Sequence, residues 1–295
     1  MEDMEPRVVV GVDDSHSSRL ALRWAARQAR DLQLPLEVLH AWTVPPPVHA
    51  DGAHVDEAPF LRDAEATLKG AIDWLRSSGE DLPEIRPRLI ARSSVDALLD
   101  ASENADLLVV GSRGRGGFVG LLLGSVSQRC VQRASCPIAV VPADWPGTGD
   151  GRIVVGVDGS EESHRALIWA VRQATRRGVR LVVVNAFMYH VYVTTHAPTI
   201  VLEHDVDEAS NQLLERMTDT ALNAIGDRPP AVELVSVPDA PAHALLESAK
   251  GADLLVVGAR GRGAVAGLLL GSVSQQCVTH AHCPVVVVPP VQTCG

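Results

Sequence analysis

Residues 111–127 read GSRGRGGFVGLLLGSVS, and residues 258–274 read GARGRGAVAGLLLGSVS. Glycines that follow an apolar run and lead to a serine at a helix start are residue types that hold an anion through the main chain. Gly114, Gly116 and Gly117 carry no Cβ, so peptide nitrogens can approach a phosphate closely. Amides at a helix start lack intrahelical partners, and the helix dipole is positive there. Ser125 is expected at the N-cap, where its hydroxyl adds a donor. Arg113 and Arg115 offer positive charge, although solvation alone accounts for exposed arginines.

The spacing excludes the familiar phosphate loops. A G-x-x-x-x-G-K-[ST] loop needs a lysine, and neither stretch has one. A dinucleotide fingerprint belongs after the first strand, which here ends in GVDDS; from Gly114 its third glycine falls on Val119. The second strand ends LHAWT, with no acid for a ribose. The SGGxDS loop of pyrophosphatase-type enzymes is also missing. What remains is G-x2-G-x9-G-[ST]: Gly111, Gly114, Gly124 and Ser125, then Gly258, Gly261, Gly271 and Ser272. A tight strand-to-helix turn would need fewer glycines.

The elements around these loops repeat. RVVVGVDDS (7–15) returns as RIVVGVDGS (152–160), and ALRWAARQA (21–29) as ALIWAVRQA (166–174). Residues 105–142 and 252–289 share 28 identities in 38 aligned positions. The expected domains are 1–143 and 151–295, joined by ADWPGTGDG (143–151). In the first half the pattern predicts strands at VVVGV, LEVLHAW, RPRLIA, LLVVG and IAVV. The predicted helices run from about Ser15, over 61–77, from a Ser94 cap to about Glu103, and from near Ser125 to a stop at Pro137. The second half repeats this order, with helices from Ser160, over 205–225, over 242–249 and after the loop. Residues 44–59 and 188–203 read as long loops. Strands alternating with helices imply an α/β fold of two tandem doubly wound parallel five-stranded sheets, Rossmann-like, with right-handed crossovers.

The chain resembles a tandem universal stress protein of the ATP-binding class. VVVGVDDS and IVVGVDGS, both G-x2-G-x9-G-S motifs, and SCPIAVVP and HCPVVVVP carry the likeness. The resemblance implies strand order 3-2-1-4-5 in each domain and one ATP site per domain, between the first and fourth strands. It puts Gly111, Ser112, Arg113, Gly114, Arg115, Gly116 and Gly117 around the phosphates, with Gly124, Ser125 and Val126. Gly11, Val12 and Asp13 would line the nucleoside side, with Asp13 near ribose or a metal and Mg2+ a companion of the nucleotide. Main chain around His40 and Ala41 would meet adenine. The second-half equivalents are Gly258, Ala259, Arg260, Gly261, Arg262, Gly263 and Ala264; Gly271, Ser272 and Val273; Gly156, Val157 and Asp158; and Asn185 with Ala186. Ala264 stands where the first copy has Gly117. If that position needs positive φ, alanine costs about 1 kcal/mol, so the second site is expected to be the weaker.

No catalytic base is evident beside either loop, so a nucleotide-dependent stress-response regulator is expected. The alternatives are a slow ATP hydrolase using the same crevice, and a chaperone-like scaffold with structural nucleotide. His49, His54, His190, His196 and His204 do not match between copies and read as surface residues. Cys130 with Cys136, and Cys277 with Cys283, have C-x5-C spacing, wider than zinc pairs, and read as packing. Trp24 and Trp169 read as core, and Leu121 to Leu123 as helix packing.

The net charge of −10 disfavours nucleic acid and anionic membranes. No window approaches a membrane span. Five cysteines, an odd count, with no secretory leader in MEDMEPR point to the cytoplasm. Aromatics at 3% leave the core to Val, Leu, Ile and Ala. A single copy would expose its last apolar strand as an unpaired edge. The resemblance implies that the two halves pair there about a pseudo-two-fold axis, and that whole chains form a homodimer.

Overall fold

Short β-branched runs form the strands, and the helices between them each turn one apolar face inward. The computed structural model describes residues 5–44, 56–114, 123–188, 191–193, 198–200, 203–225, 229–262 and 269–290. The chain divides into two compact units, Met1–Ala143 and Asp144–Gly295.

Unit 1 runs β1 (Val8–Gly11), α1 (His16–Leu32), β2 (Leu36–Ala41), α2 (Ala58–Arg76), β3 (Ile85–Ile90), α3 (Ser94–Ser102), β4 (Leu107–Gly111), α4 (Ser125–Arg133) and β5 (Ile138–Val141). Its strands pair in parallel in the order β3-β2-β1-β4-β5. Val8 of β1 stands opposite Leu36 on one side and Leu107 on the other. Right-handed crossovers put α1 and α2 on one face and α3 and α4 on the other. In agreement, α1 contacts α2, and α3 contacts α4. Val8, Val9 and Val10 are 0% exposed. Burial of successive residues requires cover on both faces, as in a parallel α/β sheet.

Unit 2 runs β6 (Arg152–Gly156), α5 (Glu161–Arg177), β7 (Arg180–Phe187), β8 (Val191–Val193), β9 (Pro198–Ile200), α6 (Glu203–Asn223), β10 (Val232–Pro238), α7 (Pro241–Ser248), β11 (Leu254–Gly258), α8 (Ser272–His280) and β12 (Val285–Val288). Its parallel order is β10-β7-β6-β11-β12. Each unit is thus a doubly wound, Rossmann-like five-stranded sheet of order 3-2-1-4-5. The winding reverses between β1 and β4, and between β6 and β11. The antiparallel pair β8–β9 lies in the stretch that the sequence presents as loop.

Several local expectations are corrected. Ser93, not Ser94, caps α3, with its Oγ accepting the Asp96 N–H at 3.2 Å. Gly124 caps α4 in extended backbone, and Ser125 is the first helical residue. Helix α2 begins at Ala58 and buries Ala64, Leu68, Ala71, Ile72 and Leu75, while Leu61 is exposed. Trp24 is buried, but Trp169 is only half-buried. Leu123 is half-buried; Leu121 and Leu122 lie outside the described residues, as do His49, His54, His190 and His196. Leu269, in the second copy of that run, is 56% exposed. Cys130, Cys136, Cys277 and Cys283 are buried thiols, and burial pushes each pKa up to about 12. Among the described residues no helix is long and apolar enough to cross a membrane.

Candidate functional site

The turn after the first strand of each unit is built from an acid and two serines. In unit 2, Asp158 Oδ1 accepts the Ser160 N–H at 3.0 Å and the Ser160 hydroxyl at 2.6 Å. Ser160 Oγ caps α5 by accepting the Ser163 N–H at 3.2 Å. The Ser163 hydroxyl donates to Ser160 O at 2.9 Å and accepts the Asp158 N–H at 3.3 Å. Asp13, Ser15 and Ser18 repeat this network in unit 1. Asp14 takes φ 63° in that turn and Gly159 φ 83°. Burial pushes the Asp158 pKa upward, but the bonds from Ser160, the Arg262 N–H and Ser163 outweigh it, so the net shift is down. Asp158 is therefore ionised at neutral pH.

The loop glycines are explained by close approach. The left-handed residues include none of Gly111, Gly114, Gly258 and Gly261. A Cβ on Gly111 would lie 2.8 Å from the Ser17 main chain, and one on Gly258 2.8 Å from the Glu162 carbonyl carbon. These glycines let β4 and β11 run against the first turns of α1 and α5. A Cβ on Gly114 would collide with Asp13 Oδ2, and one on Gly261 with Asp158 Oδ2. The second glycine of G-x2-G therefore makes room for the strand-end carboxylate, which then holds the loop: Asp158 Oδ2 accepts the Arg262 N–H at 2.8 Å.

The third glycine behaves differently. A Cβ on Gly124 or Gly271 would meet only ordinary contacts, the nearest at 3.4 Å. Glycine supplies no capping oxygen, and neither helix has a side-chain cap. The first amides of α4 and α8 consequently stay available to an outside acceptor. The next turn hooks back onto the strand end, where the Ser127 hydroxyl donates to Gly111 O and the Ser274 hydroxyl to Gly258 O, both at 2.6 Å.

These parts frame a cleft in each unit where the winding reverses, the usual ligand position in open α/β sheets. The first cleft, about 500 Å³, is lined by Gly11, Val12, Asp13, Ala41, Gly111, Arg113, Gly114, Gly124, Ser125 and Val126. The second, about 250 Å³, is lined by Gly156, Val157, Asp158, Ala186, Gly258, Arg260, Gly261, Arg262, Gly271, Ser272 and Val273. Ser112 and Ala259 are buried beneath the clefts, where their amides bond Val141 O and Val288 O and their carbonyls accept the Gly124 and Gly271 N–H. Arg115, Gly116, Gly117, Gly263 and Ala264 lie outside the described residues. His40 and Asn185 stand behind the walls. His40 Nδ1 is 2.7 Å from Val12 O, and Asn185 Nδ2 donates to Val157 O at 2.6 Å.

The chain matches the model of the universal stress protein family twice, over residues 4–142 and 151–289. The chain belongs to the universal stress protein family. It is 35% identical to a universal stress protein of Mycolicibacterium smegmatis, covering 96% of this chain and 97% of that one. It is 32% identical to one of Mycobacterium tuberculosis, covering 95% of each. A universal stress protein structure from Archaeoglobus fulgidus shares the fold, with TM-score 0.69, 21% identity, and coverage of 98% and 99%.

In this universal stress protein the clefts are also lined by residues outside the glycine motifs. Leu39, Leu98 and Val110 form an apolar wall in the first cleft, with Ser94 beside them, and Val184, Pro241, Leu245 and Val257 form one in the second. Leu98 seats against Gly11 and Leu245 against Gly156, where a Cβ would crowd the leucine methyls at 3.0 and 2.8 Å. The recurrence of ALLD and ALLE at the same place in both copies was the available signal. Ser18, Ser127, Ser163 and Ser274 were legible in the same way.

Proposed function

We propose that this universal stress protein binds ATP in each unit, two sites per chain, and acts as a nucleotide-dependent regulator in the stress response. The observation that carries the reading is the pair of uncapped helices. Gly124 and Gly271 leave both room and unpartnered amides where a serine or aspartate cap would fill them. That donor set suits phosphate oxygens, which main-chain amides and a helix N-terminus stabilise together. Ser125 and Ser272 add hydroxyls, and Arg113, Arg260 and Arg262 add charge.

The apolar walls with Leu98 and Leu245 accommodate adenine, next to main chain at Ala41 and Ala186. Asp13 and Asp158 offer carboxylate oxygens to ribose hydroxyls. Mg2+ arrives with the nucleotide's phosphates, since Asp158 is already engaged by Ser160 and Arg262. A cradle of amides and hydroxyls binds phosphate without a positioned general base, which favours a regulator over a catalyst. Four buried cysteine thiols suit a reducing compartment, the cytoplasm. A homodimer of whole chains completes the proposal; equilibrium sedimentation showing a monomer at all concentrations would remove that part.

The test is mass spectrometry of small molecules released when the purified protein is denatured. Adenine nucleotide at up to two equivalents per chain supports the reading. A different ligand class in its place would overturn it.

A further inference from the structure

The two clefts share one framework, and among the described residues one of the points at which they differ is the arginine between the first two loop glycines. In unit 2, Arg260 Nη2 lies 3.3 Å from Glu162 Oε1. Arg165 reaches the same oxygen at 3.6 Å. Glu162 sits in the first turn of α5, where the helix dipole favours a carboxylate. Its side chain is 19% exposed, so the pair is screened less than a surface pair.

In unit 1 the corresponding residues are Leu20, Ser17 and Arg113. Ser17 has no charge to offer; its Oγ accepts only the Arg113 backbone N–H, at 3.4 Å. Among the described residues no acidic side chain pairs with Arg113, which is exposed beside the cleft.

We propose that Glu162 is an affinity-setting residue: it holds Arg260 as an internal counter-anion, so the second cleft binds a phosphate chain more weakly than the first. The inference rests on the nucleotide reading above and gives the ordering of the two sites an electrostatic cause, separate from Ala264. An anion entering the second cleft must share Arg260 with Glu162 and also meets the field of that carboxylate. An anion entering the first meets Arg113 with no competitor. The pair is partly exposed, Arg260 at 35% and Glu162 at 19%, and pairs that solvent still reaches contribute modestly, so the effect is roughly two- to fivefold in affinity.

The test uses the full chain with one cleft closed at a time. Gly124→Asp places a carboxylate on the free amides of α4, so that chain reports the second cleft; Gly271→Asp reports the first. Calorimetry with ATP, with tripolyphosphate and with adenosine should find ATP and tripolyphosphate bound more tightly in the Gly271→Asp chain. Adding Glu162→Gln to the Gly124→Asp chain should tighten both anions roughly two- to fivefold and leave adenosine unchanged. Ser17→Glu in the Gly271→Asp chain should weaken both anions by a similar factor. If Glu162→Gln leaves ATP and tripolyphosphate affinity where it was while the first cleft still binds ATP, the inference is overturned and the nucleotide reading stands. If neither single-cleft chain binds any of the three probes, both are overturned.

Discussion

Asp158 Oδ2 accepts the backbone N–H of Arg262 at 2.8 Å, and Gly261 leaves the space in which that carboxylate sits. The strand-end acid of GVDGS and the glycine loop are therefore one device. The acid fixes its own turn through Ser160 with one oxygen and clamps the loop with the other.

Asp158→Ala should cost roughly 1–3 kcal/mol, because the Ser160 and Arg262 amides lose a charged acceptor. It should also loosen the loop and weaken ATP binding in the second cleft alone. Denaturant unfolding and single-cleft calorimetry check the two effects separately. Asp158 has a depressed folded pKa. Its contribution is full above the unfolded value near 3.8 and is lost as pH falls through the lower folded value. Asp158→Asn should lack that part of the acid sensitivity.

Gly261→Ala and Gly114→Ala should each weaken ATP at their own cleft by roughly tenfold, the effect of crowding that displaces a carboxylate by about 1–3 kcal/mol. An unchanged affinity in both variants would show that the clamp between acid and loop does not shape the site.

Gly124→Asp and Gly271→Asp should separate stability from binding. An aspartate cap is a few tenths of a kcal/mol better than glycine, and the Cβ meets only ordinary contacts. Thermal melts should therefore show an equal or slightly higher Tm while the cleft concerned no longer binds ATP.

Away from the clefts, Glu80 ties the end of α2 to α1 through Arg23 and Arg27. The Arg27 hydrogen bond, opposed by burial and aided by Arg23, lowers its pKa to about 2. That depression corresponds to at most about 3 kcal/mol, and partial exposure of the arginines reduces it to about 1 kcal/mol. This stability is present above the unfolded pKa near 4.5 and disappears as pH falls through about 2. Unfolding of Glu80→Gln should accordingly be less pH-dependent below pH 4.5 than that of the parent.

Hydrolysis should be slow. With ATP and Mg2+, phosphate release should stay far below about 1 per second, the low end of ordinary enzyme turnover. Faster release, lost in the Gly124→Asp, Gly271→Asp double variant, would make the clefts active sites.

Much of this was legible in the sequence, because the repeat aligned each feature twice. The VVVG and LLVVG runs, the alternation of strands and helices and the G-x2-G-x9-G-S spacing follow from pattern, and the strand order that places the reversal of winding follows from the family resemblance. The reason for each glycine does not. Gly111 yields to the Ser17 main chain and Gly114 to Asp13, while at Gly124 a Cβ would meet only ordinary contacts among the described residues; these are distances between elements far apart in sequence. Caps slipped by one residue for a related reason. Serine is the better cap by propensity, yet glycine holds that place before α4, and Ser93 precedes Ser94 at α3 because its hydroxyl reaches Asp96. The Leu98 wall was missed because leucines on a helix read as core, and only the tertiary fold turns one of them toward a cleft. The four residues between β8 and β9, TTHA, contain no Asn-Gly pair of the kind that announces a hairpin.

The most direct test of the central claim is the ATP stoichiometry of the parent chain and the Gly124→Asp, Gly271→Asp double variant, measured by calorimetry on folded protein. The account expects two ATP per chain in the parent and none in the double variant, whose far-UV spectrum and Tm remain native. Undiminished ATP uptake by the double variant, or none by a folded and nucleotide-free parent, would contradict it.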